Sequence, residues 1–137
     1  MLSRPQHGWT EITIGDFTGR GSYIQDLPVM FLESFLRALR WGAESEITVD
    51  EEGSSFTIRS LHTTEITVRR EEEEIFFFNT GVRELAQSLL FDLERDRPEW
   101  LKWPPECRRM NEKELKSFCA DRDAHLTRLT NELRKYI

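Results

Sequence analysis

The side chains that could perform catalytic chemistry are few and scattered along the chain. The histidines are His7 near the N-terminus, His62 beside a predicted hairpin turn and His125 on a late helical segment. None has a second histidine or a cysteine at metal-ligand spacing, and neither a His-Glu-x-x-His helix nor a Gly-x-Ser-x-Gly elbow is present. His62 could form an acid–base pair with Glu65 or Asp50, but most such residues are ordinary polar groups of a turn. We therefore predict no catalytic residue, no metal site and no cofactor.

The cysteines and the clustered glycines also lack a chemical signature. Cys107 and Cys119 do not form a Cys-x-x-Cys pair, which argues against a zinc ribbon or a thioredoxin-type site and predicts free thiols. Gly15, Gly19 and Gly21 do not have the spacing of a phosphate-binding loop, and no Lys-Ser/Thr pair follows them. The three glycines predict a flexible connection after a first strand.

Acidic residues are concentrated in one segment of the chain. From Glu44 to Glu74 there are ten acidic and three basic residues, a net charge of −7, whereas all 137 residues together carry −6. This overall acidity argues against a nucleic-acid or anionic-membrane partner. Within the segment, the acidic residues form two runs, Asp50-Glu51-Glu52 and Glu71-Glu72-Glu73-Glu74.

The run of four glutamates allows more than one interpretation. Calcium loops alternate their oxygen ligands around a tight turn with a glycine, and consecutive glutamates do not match that pattern. The run can instead keep a sheet edge from pairing, or it can bind a basic partner together with the first run. We predict Asp50, Glu51, Glu52, Glu71, Glu72, Glu73 and Glu74 as partner-binding residues, with the two runs at opposite ends of one sheet.

Two tryptophans flank a Leu-Lys pair just before two prolines. Trp100 and Trp103 can cover the end of the preceding helix as part of the core, or one of them can anchor a partner. We include both among the predicted partner-binding residues.

The elements that position these residues follow from hydrophobic periodicity. Alternating or apolar runs predict strands at 9–14, 47–49, 56–59, 66–69 and 75–78. Helical spacing predicts a first helix between Asp26 and Gly42, a second from Thr80 to Asp96 and a third that opens with a capping box at Asn111 and Glu114. Short turns between the four later strands imply an antiparallel meander with its Thr/Arg face toward water.

These elements predict one α+β domain over residues 1–137. Its order is β-α-β-β-β-β-α-α, an antiparallel meander sheet of about five strands packed with three helices. A composition of 38% hydrophobic residues with nine Phe and four Trp is sufficient for a packed core. No segment approaches a membrane span and the first residues lack the apolar region of a secretory signal, so we predict a cytoplasmic protein.

The layout of residues 9 to 93 resembles that of small bacterial immunity proteins of polymorphic-toxin and contact-dependent growth inhibition systems. The resemblance is carried by Gly15–Phe17, Ser22–Pro28, the apolar helix that ends in Trp41-Gly42, and Ile47–Gly53. It implies a cytoplasmic protein without catalytic residues that binds one cognate toxin domain, often a nuclease. The long third helix from Asn111 has no counterpart in that pattern.

The sequence therefore predicts an immunity protein that neutralises a cognate toxin domain, a basic nuclease, through an acidic face. Nucleases attract phosphate and tend to be basic, which suits an acidic inhibitor. We expect a monomer or weak dimer. Two alternatives stay open: a small enzyme or ligand-binding domain with a cavity between the sheet and the first helix, and a secretion chaperone or adaptor.

Overall fold

The computed structural model describes residues 1–137 as six strands, four α-helices and one 3-10 helix. The strands are β1 (Trp9–Ile14), β2 (Phe17–Ser22), β3 (Ser45–Asp50), β4 (Ser55–Ser60), β5 (Thr64–Arg69) and β6 (Glu73–Phe78). The helices are α1 (Leu27–Trp41), α2 (Val82–Arg95), α3 (Arg97–Leu101) and α4 (Glu112–Arg134), with the 3-10 helix at Pro105–Arg109.

The strands form two antiparallel sheets of two and four strands, so the α+β class is confirmed, whereas the single sheet of about five strands matches only roughly. β1 pairs only with β2, whereas β3, β4, β5 and β6 form a four-stranded meander. The additional strand, β2, contains Gly19 and Gly21, two of the three glycines that predicted a flexible connection, and Gly15 lies in the turn before it. A Cβ atom on Gly19 would lie 2.4 Å from the ring of Phe56. Glycine therefore allows the β1–β2 hairpin to approach the apolar face of the meander closely.

Helix α1, the apolar helix predicted between Asp26 and Gly42, is the central element of the core. Phe31, Leu32 and Phe35 are completely buried, and the helix contacts β3, α2 and α4. Gly42 ends the helix in the left-handed conformation, with φ of 65°, and its N–H donates to the carbonyl of Ala38. The predicted helix end is confirmed, since glycine takes this conformation without steric strain.

The later helices differ from the prediction in number and at one boundary. Helix α2 is preceded by Gly81 rather than Thr80 as N-cap residue, and the Gly81 N–H donates to a carboxylate oxygen of Glu84 at 3.1 Å. The predicted capping box of α4 is confirmed by reciprocal hydrogen bonds between Asn111 and Glu114. The additional helix, α3, has only five residues and lies between the predicted second and third helices.

One hydrophobic core of 27 buried residues joins both sheets and the helices. Phe17 of β2 packs edge-on against Phe56, at 5.0 Å between ring centroids, and against Phe76, at 5.3 Å. At the core's margin the Met1 ammonium group forms an ion pair with the Asp92 carboxylate at 2.8 Å. None of the helices has both the length and the hydrophobicity to span a membrane.

Replacing a buried leucine of α1 should destabilise the fold far more than replacing an exposed aromatic residue of α2. Leu32 is completely buried, whereas Phe91 is largely exposed. We expect Leu32→Ala to lower the free energy of unfolding by about 2–5 kcal/mol, because apolar contacts are lost and a cavity remains. Phe91→Ala should change it by less than about 1 kcal/mol. Urea denaturation measures both, and equal losses would contradict the central place of α1.

Candidate binding surface at the acidic end of the sheet

The strand register places both acidic runs at the same end of the four-stranded sheet. Asp50 lies opposite Ser55, Ser55 opposite Arg69, and Arg69 opposite Glu73. The prediction that the runs lie at opposite ends is therefore wrong. Alternate turns of a meander fall at the same end, and the runs occupy the first and third turns. We call residues 50–52 and 71–74 the acidic tip.

Glu51 differs from the rest of the acidic tip because its side chain is buried, with 5% of the residue exposed. Its carboxylate accepts hydrogen bonds from two guanidinium nitrogens of Arg70, at 2.8 and 3.1 Å, and from the Ser54 hydroxyl at 2.9 Å. The backbone N–H of Arg20 in β2 is a further donor, at 3.2 Å. Glu51 was predicted to bind a partner. Its carboxylate instead links β2, the β3–β4 turn and the β5–β6 turn through hydrogen bonds.

These contacts determine the protonation of Glu51. Burial alone would raise the pKa of the Glu51 carboxyl, but the hydrogen bonds from Arg70, Ser54 and the Arg20 amide outweigh burial and lower it. Arg70 is stabilised in its charged form by the same contact, and its pKa is raised mainly by the hydrogen bond to Glu51. Both groups of the ion pair are therefore stabilised in their charged forms.

The other six carboxylates of the acidic tip are exposed. They belong to Asp50, Glu52, Glu71, Glu72, Glu73 and Glu74. None of the six forms an ion pair within the chain, and Arg70 beside them is engaged by Glu51. The Asp50 carboxylate accepts the backbone N–H of Glu52 at 2.7 Å, which orders the β3–β4 turn. The acidic tip therefore carries a concentrated negative charge on an ordered turn.

The meander has two outer strands, β3 and β6, and the edge of β6 begins in the acidic tip. The Gln25 side chain covers part of the outer edge of β3, where it donates to the Thr48 carbonyl and accepts the Asp50 N–H. No strand pairs with the outer edge of β6. On β6, Ile75 is 50% exposed and Phe77 is 72% exposed. The sequence analysis missed these two side chains, since an apolar run does not indicate which of its residues lacks a neighbour.

The two tryptophans predicted as partner-binding residues belong to the core. Trp100 is completely buried, Trp103 is nearly so, and their ring centroids are 5.1 Å apart. The indole N–H of Trp103 donates to the carbonyl of Gln25 at 2.8 Å. Neither ring is accessible to a partner, so the partner-binding assignment is corrected to a packing role. Both belong to the hydrophobic core, which was the other interpretation of their spacing.

The structure does not bring together the residues of the possible acid–base pair. His62 lies in the β4–β5 turn, at the end of the sheet opposite Asp50. Glu65 instead lies beside Arg59, at 3.9 Å between charged atoms. A cleft of about 390 Å³ between α1 and β3 is lined by glutamates but by no histidine. No group of three or more His, Cys, Asp or Glu side chains converges in a way that could hold a metal ion.

Comparisons with protein-family models, with curated proteins and with solved structures return no significant match. The resemblance to immunity proteins stays a prediction.

Removing the charge of Glu51 should destabilise the protein in a pH-dependent manner. Because its pKa is lowered on folding, its contribution is fully present above the ordinary value of 4.5 and is lost as the pH falls through the folded-state value. We expect Glu51→Gln to reduce the free energy of unfolding by about 1–3 kcal/mol at neutral pH, since Arg70 then loses its charged acceptor. The deficit should shrink as the pH is lowered toward 3.

Glu72→Gln is the matched control, because Glu72 is exposed and forms no ion pair within the chain. Denaturant titrations at several pH values measure both variants. A deficit in Glu51→Gln that does not change with pH would show that packing, rather than the charge of Glu51, stabilises the two turns.

Proposed function

We propose that the protein is a cytoplasmic immunity protein that binds and neutralises a cognate toxin domain, a basic nuclease, through the acidic tip. The observation that supports this proposal is the set of six exposed, unpaired carboxylates in two neighbouring turns. Unpaired like charges at one site repel one another, and a basic partner relieves that repulsion. The family resemblance of residues 9 to 93 implies the same class of protein.

Electrostatics explains why an acidic surface suits this task. A nuclease must attract phosphate groups, so the surface around its active site is basic. An inhibitor with a complementary potential meets such a surface faster and repels acidic proteins. An occupied basic surface can no longer receive nucleic acid. Inhibition then requires no catalytic residue in the inhibitor.

The acidic tip is also prepared for binding before a partner arrives. Arg70 follows β5 and Glu51 follows β3, so their ion pair at 2.8 Å joins the two turns that carry the exposed carboxylates. Turns held in this way lose less conformational freedom on association than independent loops would. The buried carboxylate thus supports binding without touching the partner.

Charge reversal at the acidic tip should slow association with the toxin domain. The first partner to test is the variable C-terminal domain of a toxin encoded by a neighbouring gene, purified as an inactive variant. We expect replacement of Glu71, Glu72, Glu73 and Glu74 by lysine to reduce the association rate constant by about tenfold or more at low salt. The effect should weaken as ionic strength rises, because exposed charges are screened beyond about 8 Å at physiological salt. Surface plasmon resonance measures the rate.

The control variant carries the same change in net charge elsewhere. It replaces four exposed carboxylates outside the acidic tip by lysine: Glu33, Glu44, Glu112 and Asp121. A much smaller decrease of the association rate constant in the control variant supports a local binding surface. Equal decreases would show that net charge alone accounts for the effect. Unchanged association in the acidic-tip variant, or co-expression that fails to protect cells from the toxin domain, would overturn the proposal.

A further inference from the structure

Strand β6 offers backbone hydrogen-bonding groups that nothing in the chain uses. It pairs with β5 through all six of its residues, Glu73 to Phe78, and has no neighbour on its other side. In an antiparallel ladder, alternate residues of an edge strand point their N–H and C=O groups away from the sheet. Such an edge is a template for a further strand.

Exposed apolar side chains lie next to this open edge. Ile75 is opposite Thr67 and Phe77 is opposite Glu65, so both project from the face of the meander that no helix covers. Together with the side chain of Glu73 on the same face, they give β6 an acidic beginning and an apolar end. A strand paired with β6 would contact glutamates at the N-terminal end of β6 and apolar side chains at its C-terminal end.

The charge at the start of β6 indicates which strand would fit. Glu73 and Glu74 are exposed and unpaired, and Glu71 and Glu72 precede them. An antiparallel partner strand places its C-terminal half beside the glutamates and its N-terminal half beside Ile75 and Phe77. Basic residues in the C-terminal half and β-branched residues in the N-terminal half are therefore complementary to β6.

We propose that β6 binds an extended strand of a basic protein by antiparallel addition to the sheet, with the basic residues in the C-terminal half of that strand. This inference rests on the proposed function for the identity of the partner, which is the toxin domain. It adds the mode of binding: main-chain hydrogen bonds supply affinity, and contacts with Phe77 and the glutamates supply specificity.

A second copy of the chain fits the same edge less well. In a two-fold pair of β6 strands, a register centred on Glu73 or Glu74 sets glutamates beside glutamates. A register centred on Phe76 sets Glu74 beside Phe78 of the copy and brings no basic residue of the copy beside the glutamates. Each copy also carries a net charge of −6, which opposes self-association. Charge complementarity thus favours a basic strand.

A synthetic peptide tests the binding mode without the toxin domain. The probe is a capped peptide that alternates valine with threonine in its N-terminal half and valine with lysine in its C-terminal half. Titration into the ¹⁵N-labelled protein should shift the amide signals of β6 and slow hydrogen exchange of alternate β6 amides by about tenfold or more. A peptide with glutamate in place of lysine, and one with the two halves exchanged, should each bind about tenfold more weakly.

Two single-residue variants test whether the toxin domain binds at the β6 edge. Phe77→Ser removes the exposed ring, and Phe91→Ser removes a similarly exposed ring from α2. We expect Phe77→Ser to raise the dissociation rate constant of the toxin domain by about tenfold, and Phe91→Ser to leave it unchanged. Circular dichroism spectra that match those of the unmodified protein establish that both variants are folded.

The outcomes separate the binding mode from the function. If the toxin domain binds but the peptide leaves β6 unprotected and Phe77→Ser dissociates normally, the strand-addition proposal is overturned while the proposed function stands. If the peptide protects β6 but no toxin domain is neutralised, strand addition stands and the immunity role fails. A dimer in sedimentation analysis, with β6 amides already protected without peptide, would show that a second copy occupies the edge and would overturn the proposal.

Discussion

The burial of α1 is the constraint on which the rest of the structure depends. A helix with Phe31, Leu32 and Phe35 completely buried requires cover on several sides, and β3, α2 and α4 supply it. The β1–β2 hairpin occupies the remaining apolar surface of the meander, where glycines permit close contact. Because this arrangement uses only one face of the four-stranded sheet, the opposite face remains exposed. No strand pairs with the outer edge of β6.

A second constraint, electrostatic in kind, organises the exposed end of that sheet. Glu51 is buried and charged, a combination that requires donors around the carboxylate. Arg70, Ser54 and the Arg20 amide meet that requirement, and they come from the β5–β6 turn, the β3–β4 turn and β2. The same contacts that satisfy one carboxylate therefore hold the six exposed carboxylates in a fixed arrangement.

The open edge and the acidic tip are best understood together. An exposed apolar edge strand invites unwanted pairing, and charged residues are a common means of limiting it. The glutamates before Ile75 disfavour pairing with acidic strands and with copies of the same strand, yet they favour a basic one. Protection against aggregation and selection of a partner thus follow from the same side chains, as in other interfaces that combine attraction with repulsion.

The sequence by itself determined the α+β class, the apolar character of α1 and its end at Gly42, the capping box of α4, and the concentration of acidic charge. These features depend on residues close together in the chain, where periodicity and capping chemistry act directly. The tertiary structure decided that Gly19 lies within a strand, that Trp100 and Trp103 are buried and that Glu51 is paired with Arg70. It also decided that the two acidic runs meet at one end of the sheet and that β6 is left without a neighbour. Each of these depends on contacts between residues distant in the chain, and local composition contains no information about which distant groups will meet.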